Sequence, residues 1–235
     1  MKLLNAANKE EAGILAANIF SEVINADPSI VIGLATGSTP LPLYQELIKR
    51  NKEGSLDFSK VRTVNLDEYV GLPKEHDQSY RYFMNENLFN HINVDPANTN
   101  VPDGTATDPA GECIRYNAVI DGLGGVGLQL LGIGPNGHVG FNEPADVFSA
   151  RTQVVQLTES TINANSRFFS DSSEVPKSAI TMGIRDIMLA RKIVMVAGAE
   201  KKDIVEKALC GDITPLVPAS VLQLHRDVTV ILSTI

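Results

Sequence analysis

A chain of 235 residues, 43% hydrophobic and 20% charged, carries enough apolar material for one full α/β core. Its net charge of −8, absence of Trp and scattered Tyr and Phe exclude a general nucleic-acid surface, which needs clustered Lys and Arg or an aromatic platform. No apolar run approaches the roughly 20 residues of a membrane span, the opening MKLLNAANKEEAG has no signal-peptide apolar region, and Cys113 and Cys210 lie far apart without metal spacing, so a reduced, cytoplasmic protein with neither a nucleic-acid nor a membrane partner is expected.

Helical apolar spacing runs first from Lys9 to Ile24, through Ile14, Leu15, Ile19 and Val23. SIVIGLA follows as a continuous apolar run, the mark of a strand buried on both faces. LPLYQELIKR returns to helical spacing, and VRTVNLDEY reads as a second buried strand. Helices are predicted over Ser79 to Phe89 and Pro109 to Ile120, then a third buried strand in VGLQLLGIG. TQVVQL, AITMG, KIVMVAGA and DVTVILS are further strand candidates, while KKDIVEKAL and ASVLQL are helical. Buried strands alternating with helices predict a three-layer, Rossmann-like α/β fold, a mainly parallel sheet with helices on both faces. No repeat or Ser/Pro linker divides the chain, so residues 1–235 read as one domain.

In such sheets ligands bind beyond the carboxyl ends of the strands. The ends here carry ATGSTP, LDEYVGL, IGPNGHVGFNEP and GAEKK. In the first, Gly37 permits a close approach, and Ser38 and Thr39 supply hydroxyls. Those hydroxyls either cap the following helix or leave its N–H groups to an anion such as phosphate. In the second, Asp67 and Glu68 are adjacent, so alternation sends only one carboxylate into the crevice. That carboxylate is a general base if burial raises its pKa, or part of a solvated acidic turn if it does not.

The third end contains Gly132, Gly134 and Gly137 in G-x-G-x-x-G spacing. A dinucleotide site is rejected, because that motif opens a helix and is followed by an acidic residue about 20 positions on. RTQVVQL occupies that region instead. A metal site is equally weak, since His138 and Glu143 have no second histidine nearby. Two readings remain, a proton relay in which Glu143 orients His138, or a satisfied structural histidine. In the fourth, Lys201 or Lys202 meets an anion or solvent, and Arg167, in NANSRFF, offers paired N–H donors for phosphate. His76, His91 and His225 lack comparable surroundings.

Taken together, GLATGSTPLPLY, NLDEYVGL, GHVGFNEP, RTQVVQLTESTINANSRFF, VPKSAITMGI and the late LQLH resemble the glucosamine-6-phosphate deaminases over nearly the whole chain. The wider superfamily includes 6-phosphogluconolactonases, which share the Gly-rich histidine segment but typically continue without FNEP. The resemblance implies conversion of glucosamine 6-phosphate and water into fructose 6-phosphate and ammonia, with no metal or organic cofactor. It implies that Asp67 takes the C2 proton and returns one to C1. His138 would assist ring opening with Glu143 as its carboxylate partner, and Asn136 would stand where some members have aspartate. Gly37, Ser38, Thr39, Arg167 and Lys201 would bind phosphate, and residues 152–183 would form a lid. The chain lacks the C-terminal extension of the allosteric hexamers and has Gln153 where they place a basic residue. A non-allosteric monomer or small homo-oligomer is therefore expected. Two alternatives are a lactonase, which would not need Asp67 as a carbon-acid base, and a non-catalytic sugar-phosphate-sensing module.

Overall fold

The computed structural model describes residues 1–159, 162, 166, 169 and 175–234. In chain order the strands are β1 (Lys2–Ala6), β2 (Val31–Leu34), β3 (Arg62–Asn65), β4 (Asp67–Tyr69), β5 (Thr99–Asn100), β6 (Leu128–Leu131), β7 (Gln153–Gln156), β8 (Ser178–Thr181), β9 (Lys192–Ala197) and β10 (Val228–Ser233). The α-helices used below are α1 (Lys9–Ala26), α2 (Leu41–Lys52), α3 (Tyr80–Asn87), α4 (Pro109–Gly122), α5 (Ile184–Met188) and α6 (Lys202–Cys210). Short 3-10 turns cover Ala199–Lys201 and Pro218–Leu224.

Seven strands form one sheet in the order β1-β10-β9-β6-β2-β3-β5, and every neighbouring pair is parallel. β2, β6 and β10 are buried at every position, which is why they read as unbroken apolar runs rather than alternating ones. From β2 the chain steps outward to β3 and β5, and α4 then brings it back to β6 on the other side of β2. The next steps, to β9 and β10, run the opposite way. Right-handed crossovers place α1 and α2 on one face of the sheet and α4 on the other, giving the three-layer α/β fold expected from the sequence. α1 and α2 meet closely at Gly13, where a Cβ would lie 2.6 Å from Pro42. The reversal between β2 and β6 is a topological switch point, and the crevice beyond their carboxyl ends is where such sheets bind ligands.

Several sequence expectations are corrected. VRTVNLDEY is not one strand. Leu66 donates its N–H to Leu34 O in the large sheet and accepts at its own carbonyl from Met182 N, beyond β8. It is the pivot at which the chain leaves one sheet for another. TQVVQL and AITMG do not extend the parallel sheet either. As β7 and β8 they join β4 in a separate antiparallel sheet of order β4-β8-β7. Gln153–Gln156 alternates half-buried and exposed residues, the period-2 pattern of a sheet with one solvated face. β1, β5 and α5 are too short, or too weakly patterned, to have been foreseen. ASVLQL winds as a 3-10 turn.

Candidate active site

A cleft of about 380 Å³ opens at the switch point, lined among others by Thr36, Thr39, Asp67, Tyr80, Asn136, His138, Phe141 and Glu143. Three of the four strand ends singled out in the sequence thus meet at one rim, and the fourth strand contributes Val196. Lys201 sits in the 3-10 turn after β9 and is not part of this lining. Gly37 and Ser38 are exposed beside it. Arg167, the other expected cation, lies outside the described residues.

On one wall, the step from β3 into β4 directs Asp67 into the cleft and Glu68 away from it. Both are buried, at 7% and 2% exposure, which removes the reading as a solvated acidic turn. Burial, followed by the adjacent Glu68 charge, pushes Asp67 up to about 8, because a carboxylate out of water resists ionising. Across the small sheet Asp67 pairs with Thr181. Thr181 Oγ1 accepts the N–H of Phe141 at 3.1 Å, so this one hydroxyl ties the base's sheet to the loop opposite. Gly140 fits between them. A Cβ there would lie 2.9 Å from Thr181 Oγ1 and 3.4 Å from Asp67 Oδ2, at φ +58.

The other wall is the turn from Gly132 to Pro144. It does not open a helix, consistent with the rejection of a dinucleotide site. It curls back on itself, with Gly134 N donating to His138 O at 2.9 Å and Val139 bridging Asn142. A Cβ on Gly134 would lie 2.1 Å from His138 Nε2, so any larger residue there would displace the imidazole from where it stands. His138 Nδ1 stands 3.2 Å from Glu143 Oε1. Asn136 Nδ2 donates to Glu143 Oε2 at 2.6 Å, and Asn136 Oδ1 accepts the His138 N–H at 3.2 Å. Asn136 therefore holds one oxygen of the glutamate, and His138 Nδ1 lies buried beside the other, within ion-pair distance but outside hydrogen-bond geometry. Asn142 anchors the turn from behind, donating to Val139 O at 2.9 Å and Met182 O at 2.8 Å.

The third element is the turn before α2. Pro40 occupies the N-cap position, and no side chain caps the helix. Of the two sequence readings for Ser38 and Thr39, the capping one fails, and Thr39 lines the cleft. Among the described residues no group of three or more His, Cys, Asp or Glu is placed to hold a metal ion, and none of the helices is long and apolar enough to cross a membrane.

Comparison with known proteins follows the same lines. The family described as Glucosamine-6-phosphate isomerases/6-phosphogluconolactonase matches residues 6–231. The chain belongs to this family. Within it, the chain is 57% identical to a glucosamine-6-phosphate deaminase of Lachnoclostridium phytofermentans, over 98% of both chains. It is 53% identical to a deaminase of Clostridium perfringens, over 98% of this chain and 96% of that one. Among solved structures it is similar to a monomeric glucosamine-6-phosphate deaminase, with TM-score 0.95 and 44% identity over 99% of this chain and 97% of the other. A 6-phosphogluconolactonase from Trypanosoma cruzi aligns at TM-score 0.77 with 19% identity, over 99% of this chain and 94% of the other. That likeness speaks for the fold alone.

Sequence reasoning missed two residues that line the cleft. Tyr80 and Phe141 both line the cleft with their rings parallel to within 3° and 6.1 Å between centroids. Burial, with Tyr69 and the carboxylates nearby, holds the Tyr80 phenol well above its usual range. Its signal was present in Ser79-Tyr80. Ser79 caps α3 by accepting from Tyr82 N, which fixes the first helical residue beside the base. His225, given no role, is structural, with Nε2 2.7 Å from Ala190 O.

Proposed function

We propose that this chain converts glucosamine 6-phosphate and water into fructose 6-phosphate and ammonia, an aldose–ketose shift followed by imine hydrolysis. The observation that carries the reading is the pairing, across one cleft, of a buried carboxylate pushed up to about 8 with a histidine–glutamate pair. Deaminases at 57% and 53% identity over essentially the full chain support it.

In this reading His138, oriented by Glu143 and Asn136, passes a proton to the ring oxygen as the pyranose opens. Polarising the freed aldehyde acidifies the C2–H. Asp67 takes that proton and returns one to C1, leaving the imine of fructose 6-phosphate. Water adds to C2 of the imine, a proton is delivered to nitrogen, and the C–N bond breaks to release ammonia. Each general acid or base contributes about 10²–10⁴-fold, and positioning supplies much of the rest. Asn136 orients Glu143 by hydrogen bonding but carries no charge of its own to share with His138. Gly37, Ser38, Thr39, Arg167 and Lys201 would hold the phosphate, whose binding keeps the open chain in place. Residues 152–183 would close as a lid. The enzyme would act in the cytoplasm, in N-acetylglucosamine utilisation, as a monomer or small oligomer. It would not respond to N-acetylglucosamine 6-phosphate.

The test is an ammonia-release assay on glucosamine 6-phosphate, with and without N-acetylglucosamine 6-phosphate, beside a 6-phosphogluconolactone control corrected for spontaneous hydrolysis. Stoichiometric ammonia and fructose 6-phosphate, unaffected by the acetylated sugar, is the expected result. Hydrolysis of the lactone alone would replace the reading with a lactonase, and binding without turnover would replace it with a sensing module.

A further inference from the structure

Glu68 faces away from the cleft, yet it touches both elements of one wall. Its Oε1 accepts the N–H groups of Tyr69 at 2.8 Å and Tyr80 at 2.9 Å, and its Oε2 accepts the N–H of Arg81 at 2.9 Å. Tyr80 and Arg81 open α3, where backbone N–H groups have no helical acceptor and the helix dipole favours an anion. A solvated acid would serve as well for capping alone. Here the carboxylate is 2% exposed, so its charge is screened less than a surface carboxylate's and raises its chain neighbour Asp67 after burial itself. Three donors hold it in one geometry, and Tyr80, one of the residues it holds, lines the cleft beside Asp67.

We propose that Glu68 is a positioning residue for the deamination inferred above: its carboxylate locks Asp67 and Tyr80 in register on one wall and keeps a second negative charge behind the base. The inference rests on that functional reading. The other titratable or charged groups around Asp67 among the described residues are Tyr69 on β4, Tyr80 on α3, Tyr116 on α4, Arg81 beside Glu68, and His138 and Glu143 across the cleft. Glu68 is the one next to it in the chain, and β8 presents only the uncharged Thr181 opposite Asp67. Burial raises Glu68 to about 7, opposed by its N–H donors, and Asp67 to about 8. The Glu68 charge adds to burial in raising Asp67.

The experiment follows the Asp67 carboxyl by ¹³C NMR in the ligand-free protein, with Asp67→Asn assigning the signal, in wild type, Glu68→Gln and Glu68→Asp. Removing the charge lowers the Asp67 midpoint in Glu68→Gln by on the order of one pH unit. The acid limb of kcat/KM for ammonia release falls with it. Glu68→Asp keeps the charge and loses reach, so its midpoint stays near wild type while kcat/KM drops several-fold. A Glu68→Gln protein that folds but titrates like wild type overturns the proposal, as does wild-type kcat/KM in Glu68→Asp. Should Glu68→Gln fail to fold, Glu68→Asp alone decides by the same criterion. A wild-type protein that releases no ammonia sinks the deaminase reading instead, and the NMR titration still reports separately on the coupling.

Discussion

The two walls of the cleft solve the same problem by different physics. Asp67 is delivered by regular structure, the three-residue strand β4 that begins where Leu66 leaves the parallel sheet. It is tuned by being taken out of water, next to another carboxylate. His138 is delivered by an irregular turn that holds its shape through Gly134, Asn136 and Asn142, and its carboxylate partner Glu143 is held by a neutral amide. In the proposed reaction, one wall would prepare a base by withholding solvation, and the other a relay by supplying partners. The lesson is that the burial of the first should show in pH dependence and stability, whereas the order of the second should show in sensitivity to small steric changes.

The largest expected effect breaks the first wall. Asp67→Asn keeps the shape and removes the base, so kcat for ammonia release falls about 10²–10⁴-fold while phosphate-dependent binding, followed calorimetrically, is largely retained. Unchanged turnover would remove Asp67 from the chemistry. In the wild type, kcat/KM should lose activity as pH falls through about 8 to 7, far above the ordinary carboxylate range, because Asp67 and Glu68 titrate there as a coupled pair.

The second wall breaks sterically. Gly134→Ala drives a methyl into His138, and a displacement of about 1 Å costs on the order of 10²-fold in kcat, with the circular dichroism spectrum unchanged. Full activity would show that the ring's seat is not required. A smaller effect concerns the cation expected over the far end of the sugar. Arg167→Ala should raise KM for glucosamine 6-phosphate about tenfold or more, the loss of a charge-assisted hydrogen bond. An unaltered KM would disconnect it from the ligand.

The smallest effect sharpens the contrast through stability. The folded-state pKa of Asp67 is raised above its unfolded value, so between about 4 and 8 the folded state binds the extra proton. Stability then declines as pH rises through that window, and the full penalty is present above about 8. Asp67→Asn removes the penalty. Its Tm should exceed that of wild type at pH 9 and converge with it near pH 4. A constant difference across that range would contradict the account of the first wall.

The same contrast explains what was legible in the chain. The buried strands β2, β6, β9 and β10 and the polar ends beyond them are local signals, because burial on both faces writes a continuous apolar run. The break at Leu66 carries no such signal. It is decided by which partner strand is available, and β8 lies more than a hundred residues away in sequence. Asp67, His138 and Glu143 were legible as chemistry placed at strand ends. Tyr80, Phe141 and Thr181 were not, since aromatic and hydroxyl residues are ordinary core members until the tertiary fold sets them facing a cleft. Glu68 read as the redundant neighbour of the base, and only its three backbone donors distinguish it. That neither Ser38 nor Thr39 caps α2 was likewise undecidable before the backbone showed Pro40 at the N-cap.

The central claim is that one acid serves two adjacent sugar carbons. Glucosamine 6-phosphate carrying deuterium at C2 tests it most directly, with the product analysed by NMR at low conversion. The account predicts a primary isotope effect on kcat/KM in the wild type and a measurable fraction of the deuterium at C1 of fructose 6-phosphate. Turnover with no isotope effect and no label at C1 would contradict it.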